Sequence, residues 1–293
     1  KIAKESGQEK VGGYTKAELE DLVTDGIQRL TNAQRLDGGW GWWLNYETDS
    51  YLSGTILDGL LVAKEYGFAV PDSTVDRAKS YLSKELQASK KSLEVQAYLA
   101  YVLARTGNVE KGVLNRLMDK RWQMNEMGRA YLLRAMQEGG SVRRDQARLM
   151  DELITNVHKT NTTAHWEVKQ RDWSMLGGNI TLTSVILEAI LKENSRHPLI
   201  SDVTRWLIQA RRDGHWESTH ETGIAVKAIA SMLLARNETK LDEDWQILID
   251  GLVVKEGEFK KGDFLTQKLE SFDLKNLAKE KDISVKIQRS GKG

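Results

Sequence analysis

The sequence predicts an all-α fold, an α/α toroid of helical hairpins with about five pairs present and a short β-rich segment at its C-terminal end. Helix breakers are scarce, since the only prolines, Pro71 and Pro198, each open a helical pattern where a missing N–H costs nothing. Five segments carry apolar residues at helical spacing. A loop motif, Asp-Gly-x-Trp, occurs twice in equivalent places along the repeat.

The five apolar segments combine small and aliphatic residues with few charges, which is typical of helices buried on more than one side. In the first of them, Leu52, Ile56, Leu57 and Leu60 trace one helical face. These inner helices are predicted at residues 51–66, 93–106, 127–138, 180–193 and 221–236.

Five charged, amphipathic segments precede the apolar ones and alternate with them. An alternating pair of one polar and one apolar helix predicts hairpins that stack side by side, as a solenoid or a closed ring. These outer helices are predicted at residues 16–34, 72–87, 109–120, 143–158 and 199–211.

The loop motif is Asp37-Gly38-Gly39-Trp40 after the first outer helix and Asp213-Gly214-His215-Trp216 after the fifth. Glycine supplies a left-handed stop, and tryptophan is expected to anchor the turn on the next hairpin. A third loop contains Trp166, and residues 166–169 are compatible with a small hairpin. The candidate anchors or contact residues are Asp37, Gly39, Trp40, Trp42, Trp43, Trp166, Asp213 and Trp216.

After about residue 240 the composition changes to short runs rich in β-branched residues, such as 245–249, 252–254 and 283–287. The predicted division is therefore a helical domain at residues 1–240 and a β-rich segment at residues 241–293.

Charge and composition exclude several classes of function. With 43 basic and 42 acidic side chains, the net charge of +1 indicates no nucleic-acid partner, and so no DNA, and no membrane surface. No cysteine is present, which removes disulfides, thiolate zinc sites, cysteine nucleophiles and an internal thioester within this sequence. The five histidines lack the i, i+3 or i, i+4 spacing of helical metal ligands, so no metal and no cofactor are predicted.

One longer string resembles a known family. Residues 37–43, Asp-Gly-Gly-Trp-Gly-Trp-Trp, are followed by residues 51–52 and 56–64, and this combination resembles the thioester domain of bacterial alpha-2-macroglobulin-like protease inhibitors. The loop with Trp166 and the stretch 209–223 are similar to later hairpins of the same domain. In that family the helical domain is inserted into a CUB-like sandwich, which the β-rich segment would re-enter.

The resemblance implies a non-enzymatic part of a protease trap. Its partners would be proteases, bound through the full-length parent, and other domains of the same parent chain. An exported bacterial protein in the periplasm or at the cell surface is implied, with a membrane association only through a parent anchor outside this chain.

The sequence also departs from the family. The family's reactive bond joins a cysteine to a glutamine three positions on, and this chain has no cysteine. Five hairpins are recognisable where the family's ring has six. We therefore expect a fragment that lacks the thioester motif, with the reactive pair upstream of Lys1 or absent from the parent.

An enzyme is the alternative, above all a carbohydrate-active enzyme built on a helical ring. Such an enzyme needs two carboxylates that flank the scissile bond, and Trp40, Trp42 and Trp43 would then stack on a sugar. The carboxylates have no distinguishing motif, and we expect no catalytic residue. The candidates are Glu47, Asp49, Glu167, Asp172 and Glu221.

Overall fold

The computed structural model describes residues 10–11, 13–43, 46–169, 177–236, 243–259 and 283–291. The chain divides into two compact units, residues 21–232 and, from its two ends, residues 1–20 with 233–293. The helices are α1 (Lys16–Ala33), α2 (Ser50–Glu65), α3 (Asp72–Ala88), α4 (Leu93–Arg105), α5 (Lys111–Asp119), α6 (Glu126–Glu138), α7 (Arg143–Thr155), α8 (Asn179–Glu193), α9 (Leu199–Gln209) and α10 (Thr219–Ala235). The strands are β1 (Lys10–Val11), β2 (Tyr14–Thr15), β3 (His158–Lys159), β4 (Ala164–His165), β5 (Glu243–Ile249), β6 (Leu252–Phe259) and β7 (Val285–Gly291).

The prediction of a mainly helical chain with a small C-terminal sheet is confirmed, and every predicted helix is present. The predicted boundaries agree to within two residues except at the end of α7, which stops at Thr155, and residues 158–159 pair as β3 with β4. That pairing also makes the expected hairpin at residues 166–169 wrong. The hairpin lies earlier, and residues 166–169 are irregular after it.

Helix starts follow the capping residues in the sequence. The carboxylate of Asp49 accepts a hydrogen bond from the Leu52 amide at 2.6 Å and caps α2. Asn125 caps α6 in the same way, and Ser92 caps α4. Since the first amides of a helix have no partner inside it, each cap fixes where its helix begins.

Within the unit of residues 21–232, the even-numbered helices are the apolar ones, and they contact one another in a closed order. The first step, from α2 to α4, is a hydrogen bond between Thr55 Oγ1 and the Tyr98 hydroxyl at 3.0 Å. The remaining steps are Tyr98 to Tyr131 with ring centroids 4.8 Å apart, Gln137 to the Ala189 carbonyl at 3.0 Å, Ser231 to Glu188 at 3.4 Å, and Lys227 to Asp58 at 3.2 Å. The last step joins α10 back to α2. We call these five helices the inner helices.

Outer helices pack over the joints between inner ones. Helix α3 contacts both α2 and α4, α5 contacts α4 and α6, and α7 contacts α6 and α8. Their buried residues, such as Leu82, Leu114 and Leu149, lie on one face of each helix. The amphipathic pattern seen in the sequence is therefore used to cover the inner helices.

The other unit contains a three-stranded antiparallel sheet in the order β6-β5-β7. Trp245 and Ile249 of the central strand are buried. Trp245 lies opposite Gly257, where a Cβ atom would come within 2.5 Å of the indole, so a glycine is needed for the ring to cross the neighbouring strand. Among the described helices of the chain, none is long and apolar enough to span a bilayer.

Candidate functional site

Three loops of the 21–232 unit are held by tryptophans in one shared arrangement. Trp40, Trp166 and Trp216 are all buried. Each indole N–H donates to a leucine carbonyl near the end of the preceding outer helix, which satisfies both a buried donor and an unpaired helix carbonyl. The three bonds join Trp40 to Leu30 (2.8 Å), Trp166 to Leu153 (2.7 Å) and Trp216 to Leu207 (2.9 Å).

Each of these tryptophans is also fixed through its backbone. Its amide N–H donates to a serine or threonine hydroxyl in the first two turns of the next inner helix. The tryptophan therefore joins the end of an outer helix to the start of an inner helix. The acceptors are Ser53 for Trp40 (2.8 Å), Thr183 for Trp166 (3.1 Å) and Thr222 for Trp216 (3.2 Å).

We expect Thr183→Val to lower the free energy of unfolding by about 1–2 kcal/mol, because the variant keeps the shape of the side chain but leaves the buried Trp166 amide without its acceptor. Urea unfolding followed by tryptophan fluorescence measures the change. Thr162→Val, in the exposed turn between β3 and β4, is the matched control and should change stability by less than about 0.5 kcal/mol. An equal loss in both variants would contradict this role for Thr183.

Asp37, Gly38 and Gly39 shape the first loop. The Asp37 carboxylate accepts hydrogen bonds from the Gly39 amide at 3.0 Å and the Thr48 hydroxyl at 2.6 Å. Gly38 has a φ of 97°, and a Cβ there would come within 2.4 Å of the Arg77 carbonyl oxygen. At Gly39 a Cβ would lie 2.3 Å from Thr48. Both glycines are thus required by the close approach of other residues. In the last loop Asp213 itself takes a positive φ of 50°, next to Gly214.

Trp42 and Trp43 lie in the same loop as Trp40 but project from the surface. Trp42 is 50% exposed and Trp43 is 70% exposed, and Tyr46 is similarly accessible. The Arg35 guanidinium donates to the Trp43 carbonyl at 2.7 Å, so the backbone is fixed while the indole rings remain accessible to solvent. Clustered exposed aromatic residues on a fixed backbone are typical of contact surfaces. We call Trp42, Trp43 and Tyr46 the aromatic loop.

A second cluster lies among the inner helices. The Lys227 ammonium lies 3.2 Å from Asp58 and 3.7 Å from Glu188, and Asp58 also pairs with the Arg105 guanidinium. Burial alone would raise the pKa of Asp58, but the charges of Lys227 and Arg105 outweigh it and hold that pKa below its usual range. Lys227 is correspondingly held charged, with its pKa raised by Asp58 and Glu188 against the effect of burial.

Tyrosines pack beside this ion-pair cluster. The ring of Tyr98 contacts the rings of both Tyr51 and Tyr131, and the Tyr51 hydroxyl lies 3.1 Å from His220 Nε2. Burial raises the pKa of Tyr98 and Tyr131 well above the ordinary value, so both remain hydroxyl donors at all pH values near neutrality.

Most of the carboxylates considered for an enzyme have contacts of their own. Asp49 caps α2, the Glu221 carboxylate accepts the Gly178 amide at 2.9 Å, and Glu167 contacts His165 at 3.2 Å. Glu47 is exposed near the aromatic loop, and Asp172 lies outside the described residues. Two of these groups therefore have capping or loop-fixing contacts.

The structure separates the sequence candidates into two kinds of residue. The buried tryptophans hold the loops, whereas Trp42 and Trp43 are available for contact. The hydroxyl partners Ser53, Thr183 and Thr222 were missed, although a serine or threonine early in the inner helix is a usable signal. The ion-pair cluster was missed as well, because Lys227 and Asp58 are 169 residues apart and share no local pattern.

These features define the class of the protein: a domain of alternating outer and inner helices, with loops fixed by buried tryptophans and a small β-sheet in a separate unit. No family model matches the chain. It is 26% identical over 211 residues to an alpha-2-macroglobulin of Thermotoga maritima and 27% identical over 241 residues to that of Escherichia coli. By these matches the chain is similar to a region of bacterial alpha-2-macroglobulins. They cover 72% and 76% of this chain but only 12% and 14% of those proteins.

Solved structures share the fold. The native conformation of E. coli alpha-2-macroglobulin superimposes on 88% of the chain with a TM-score of 0.65 at 24% identity, and 16% of that protein is covered. The trypsin-activated form of the same protein matches 94% of the chain with a TM-score of 0.61 at 19% identity, over 17% of its length. Alpha-2-macroglobulins are protease inhibitors, not enzymes.

Proposed function

We propose that the chain is a structural and interaction domain of an alpha-2-macroglobulin-like endopeptidase inhibitor that traps proteases. The observation that carries the proposal is the sequence match to bacterial alpha-2-macroglobulins over about three quarters of the chain. In this proposal the helical residues, 1–240, form an α/α toroid, and residues 241–293 belong to a CUB-like sandwich. The closed order of the inner helices supports the toroid, and the antiparallel sheet of β5, β6 and β7 supports the second assignment.

In this proposal the domain acts by moving and by contacting another domain, not by catalysis. Because none of the 293 residues is a cysteine, this region supplies no sulfur for a thioester. The region would instead move as a rigid body when the parent is cleaved by a protease, with the aromatic loop contacting another domain of the same parent. The anchored loops would make the helical unit rigid, since each buried tryptophan bonds to two helices. A periplasmic or cell-surface location of the parent is part of the proposal.

Trapping is tested with the full-length parent and trypsin, the protease that activates the E. coli relative. A steric trap should inhibit trypsin against a large substrate such as casein and leave cleavage of a small chromogenic peptide unchanged. Equal inhibition of both substrates would mean that the active site is blocked, which contradicts trapping. The absence of any inhibition would overturn the proposed function.

The role of the aromatic loop is tested in the same assay with the parent variant Trp42→Ser/Trp43→Ser. We expect weaker protection against casein hydrolysis, with an unchanged circular dichroism spectrum. Trp122→Ser is the matched control, since Trp122 is 62% exposed and lies outside the loop. The same loss in the control, or no loss in the double variant, would contradict a contact role for the aromatic loop.

A further inference from the structure

Five aspartates of the chain directly precede a glycine: Asp25, Asp37, Asp58, Asp213 and Asp250. An aspartate isomerises most readily before glycine, because glycine has no Cβ that would hinder the attack of its amide nitrogen on the aspartate side chain. The attack needs a carboxyl group that is free to turn and a glycine amide that is not bonded elsewhere. The surroundings of the five pairs differ in both respects.

Two of the five pairs lie inside helices. Asp25 and its glycine are within α1, and Asp58 and its glycine are within α2. Each glycine amide there belongs to the helix and donates to the carbonyl four residues back. Both carboxylates also have ion-pair partners, since Asp25 lies 2.8 Å from Arg29 and Asp58 lies 3.2 Å from Lys227. Neither pair meets the two conditions.

Two further pairs lie in turns, but their carboxylates are bonded. The Asp37 carboxylate has its two hydrogen bonds within the first loop, and the amide of the glycine after it donates to the Arg35 carbonyl at 3.0 Å. The Asp250 carboxylate accepts the Ser284 amide at 2.8 Å. Rotation of either side chain toward its glycine would break these bonds.

Asp213 meets both conditions. It is exposed in the loop between α9 and α10, and its carboxylate has no hydrogen bond or ion pair to any residue that the structure describes. The amide of Gly214, which is also exposed, has no acceptor among the same residues. The two hydrogen bonds of this turn instead join Arg212 and His215, at 2.9 Å and 3.1 Å.

From this comparison we propose that Asp213 is the site of a spontaneous backbone modification, its isomerisation to isoaspartate. The Gly214 amide nitrogen bonds to the side-chain carboxyl carbon of Asp213, and the amide proton and the carboxyl hydroxyl leave as water. Water then adds to the backbone carbonyl of the resulting succinimide ring and breaks the original bond between that carbonyl and the nitrogen. The chain now continues through the side-chain carbonyl, and the product is an isomer of the starting chain.

The modification adds a methylene to the backbone between Arg212 and Trp216. The two hydrogen bonds between Arg212 and His215 fit a two-residue turn of ordinary length, so the longer backbone should break them. Trp216 follows directly, and its bonds to Thr222 and Leu207 hold this loop. Isomerisation should therefore loosen the last of the three tryptophan loops. This inference does not depend on the proposed protease-trapping role, and its tests use the present chain alone.

The site is tested by prolonged incubation of the purified chain in mildly acidic buffer, followed by mass spectrometry of tryptic fragments. The fragment that ends at Lys227 contains Asp213 and no other aspartate or asparagine, so a second chromatographic peak of unchanged mass reports on this residue alone. We expect at least about tenfold more isoaspartate at Asp213 than at any of the other four positions, because those must first open locally. Similar amounts at all five positions, or none at Asp213, would overturn the proposal.

The chain unfolded in urea is the control for the influence of structure. Without the fold, the five aspartates share the same following residue and should isomerise to similar extents. If Asp213 were still about tenfold ahead of the others in urea, the local sequence would be the cause, and the structural argument would be wrong.

The effect on the loop is tested with the variant Asp213→Glu, in which the longer side chain cannot form the succinimide ring. Each chain is compared with its own sample before incubation, by urea unfolding followed by circular dichroism. We expect the unfolding midpoint of the unchanged chain to fall as isoaspartate accumulates, while that of Asp213→Glu stays the same. An unchanged midpoint in the isomerised chain, or an equal fall in the variant, would overturn the loosening of the loop.

Discussion

Replacement of Trp40 by alanine is expected to lower the free energy of unfolding of the 21–232 unit by about 3–5 kcal/mol. Trp40 is 2% exposed, so the substitution leaves a large cavity. It also removes the indole donor that pairs with the Leu30 carbonyl. Urea unfolding followed by circular dichroism measures the change, because this signal does not depend on the tryptophan that is removed.

Trp43→Ala is the control within the same loop. It removes the same side chain from a position that is 70% exposed, and its expected cost is below about 0.5 kcal/mol. A similar loss in both variants would show that the loop stabilises the unit as a whole, and the distinction between the buried and exposed tryptophans would be wrong.

Replacement of Lys227 by methionine is expected to cost roughly 2–3 kcal/mol at neutral pH. The ammonium pairs with both Asp58 and Glu188, and its loss leaves two largely buried carboxylates with less compensation. The figure lies below that for a fully buried pair because the Lys227 side chain is 33% exposed. Lys192→Met is the control: Lys192 also pairs with a glutamate, at 3.3 Å, but is 51% exposed, and its loss should cost less than about 1 kcal/mol.

The same substitution should change how stability depends on pH. The pKa of Asp58 is lower in the folded chain than in the unfolded chain, where the pKa of an aspartate is about 4. The resulting stabilisation is complete above the unfolded pKa and is lost as the pH falls through the folded pKa. Unfolding midpoints in urea at pH 7 and pH 3 should therefore differ less in Lys227→Met than in the unchanged chain. An equal or larger difference would contradict the coupling of Asp58 to Lys227.

Sequence reasoning located the helices because their signals are local. The inner segment starting at Tyr51 is apolar over several turns, and Asp49 supplies a cap directly before it. The boundary of α7 was missed although Asn156, directly after the last helical residue, is a usable stop signal. The pairing of residues 158–159 with β4 follows it and is not visible in a local pattern.

The site was predicted only in part, for a physical reason. Trp40, Trp42 and Trp43 occur within four positions of a loop, which has no periodicity that tells an inward side chain from an outward one. Their separation depends on Leu30 and Ser53, which come from two different helices. The pairing of Lys227 with Asp58 depends on the arrangement of all five inner helices, and no short window of sequence contains it.

The closed order of the inner helices has a consequence for cooperativity. Open solenoids have terminal repeats with only one neighbour, and unfolding can begin there and propagate along the array. In the 21–232 unit the return contact from α10 to α2 gives the first and last inner helices two inner neighbours each. Fraying from an end then requires the Lys227–Asp58 and Tyr51–His220 contacts to break first. The unit should therefore unfold in one step, with the secondary-structure signal and the tyrosine signal lost at the same urea concentration. In Lys227→Met we expect the midpoints of these two signals to separate.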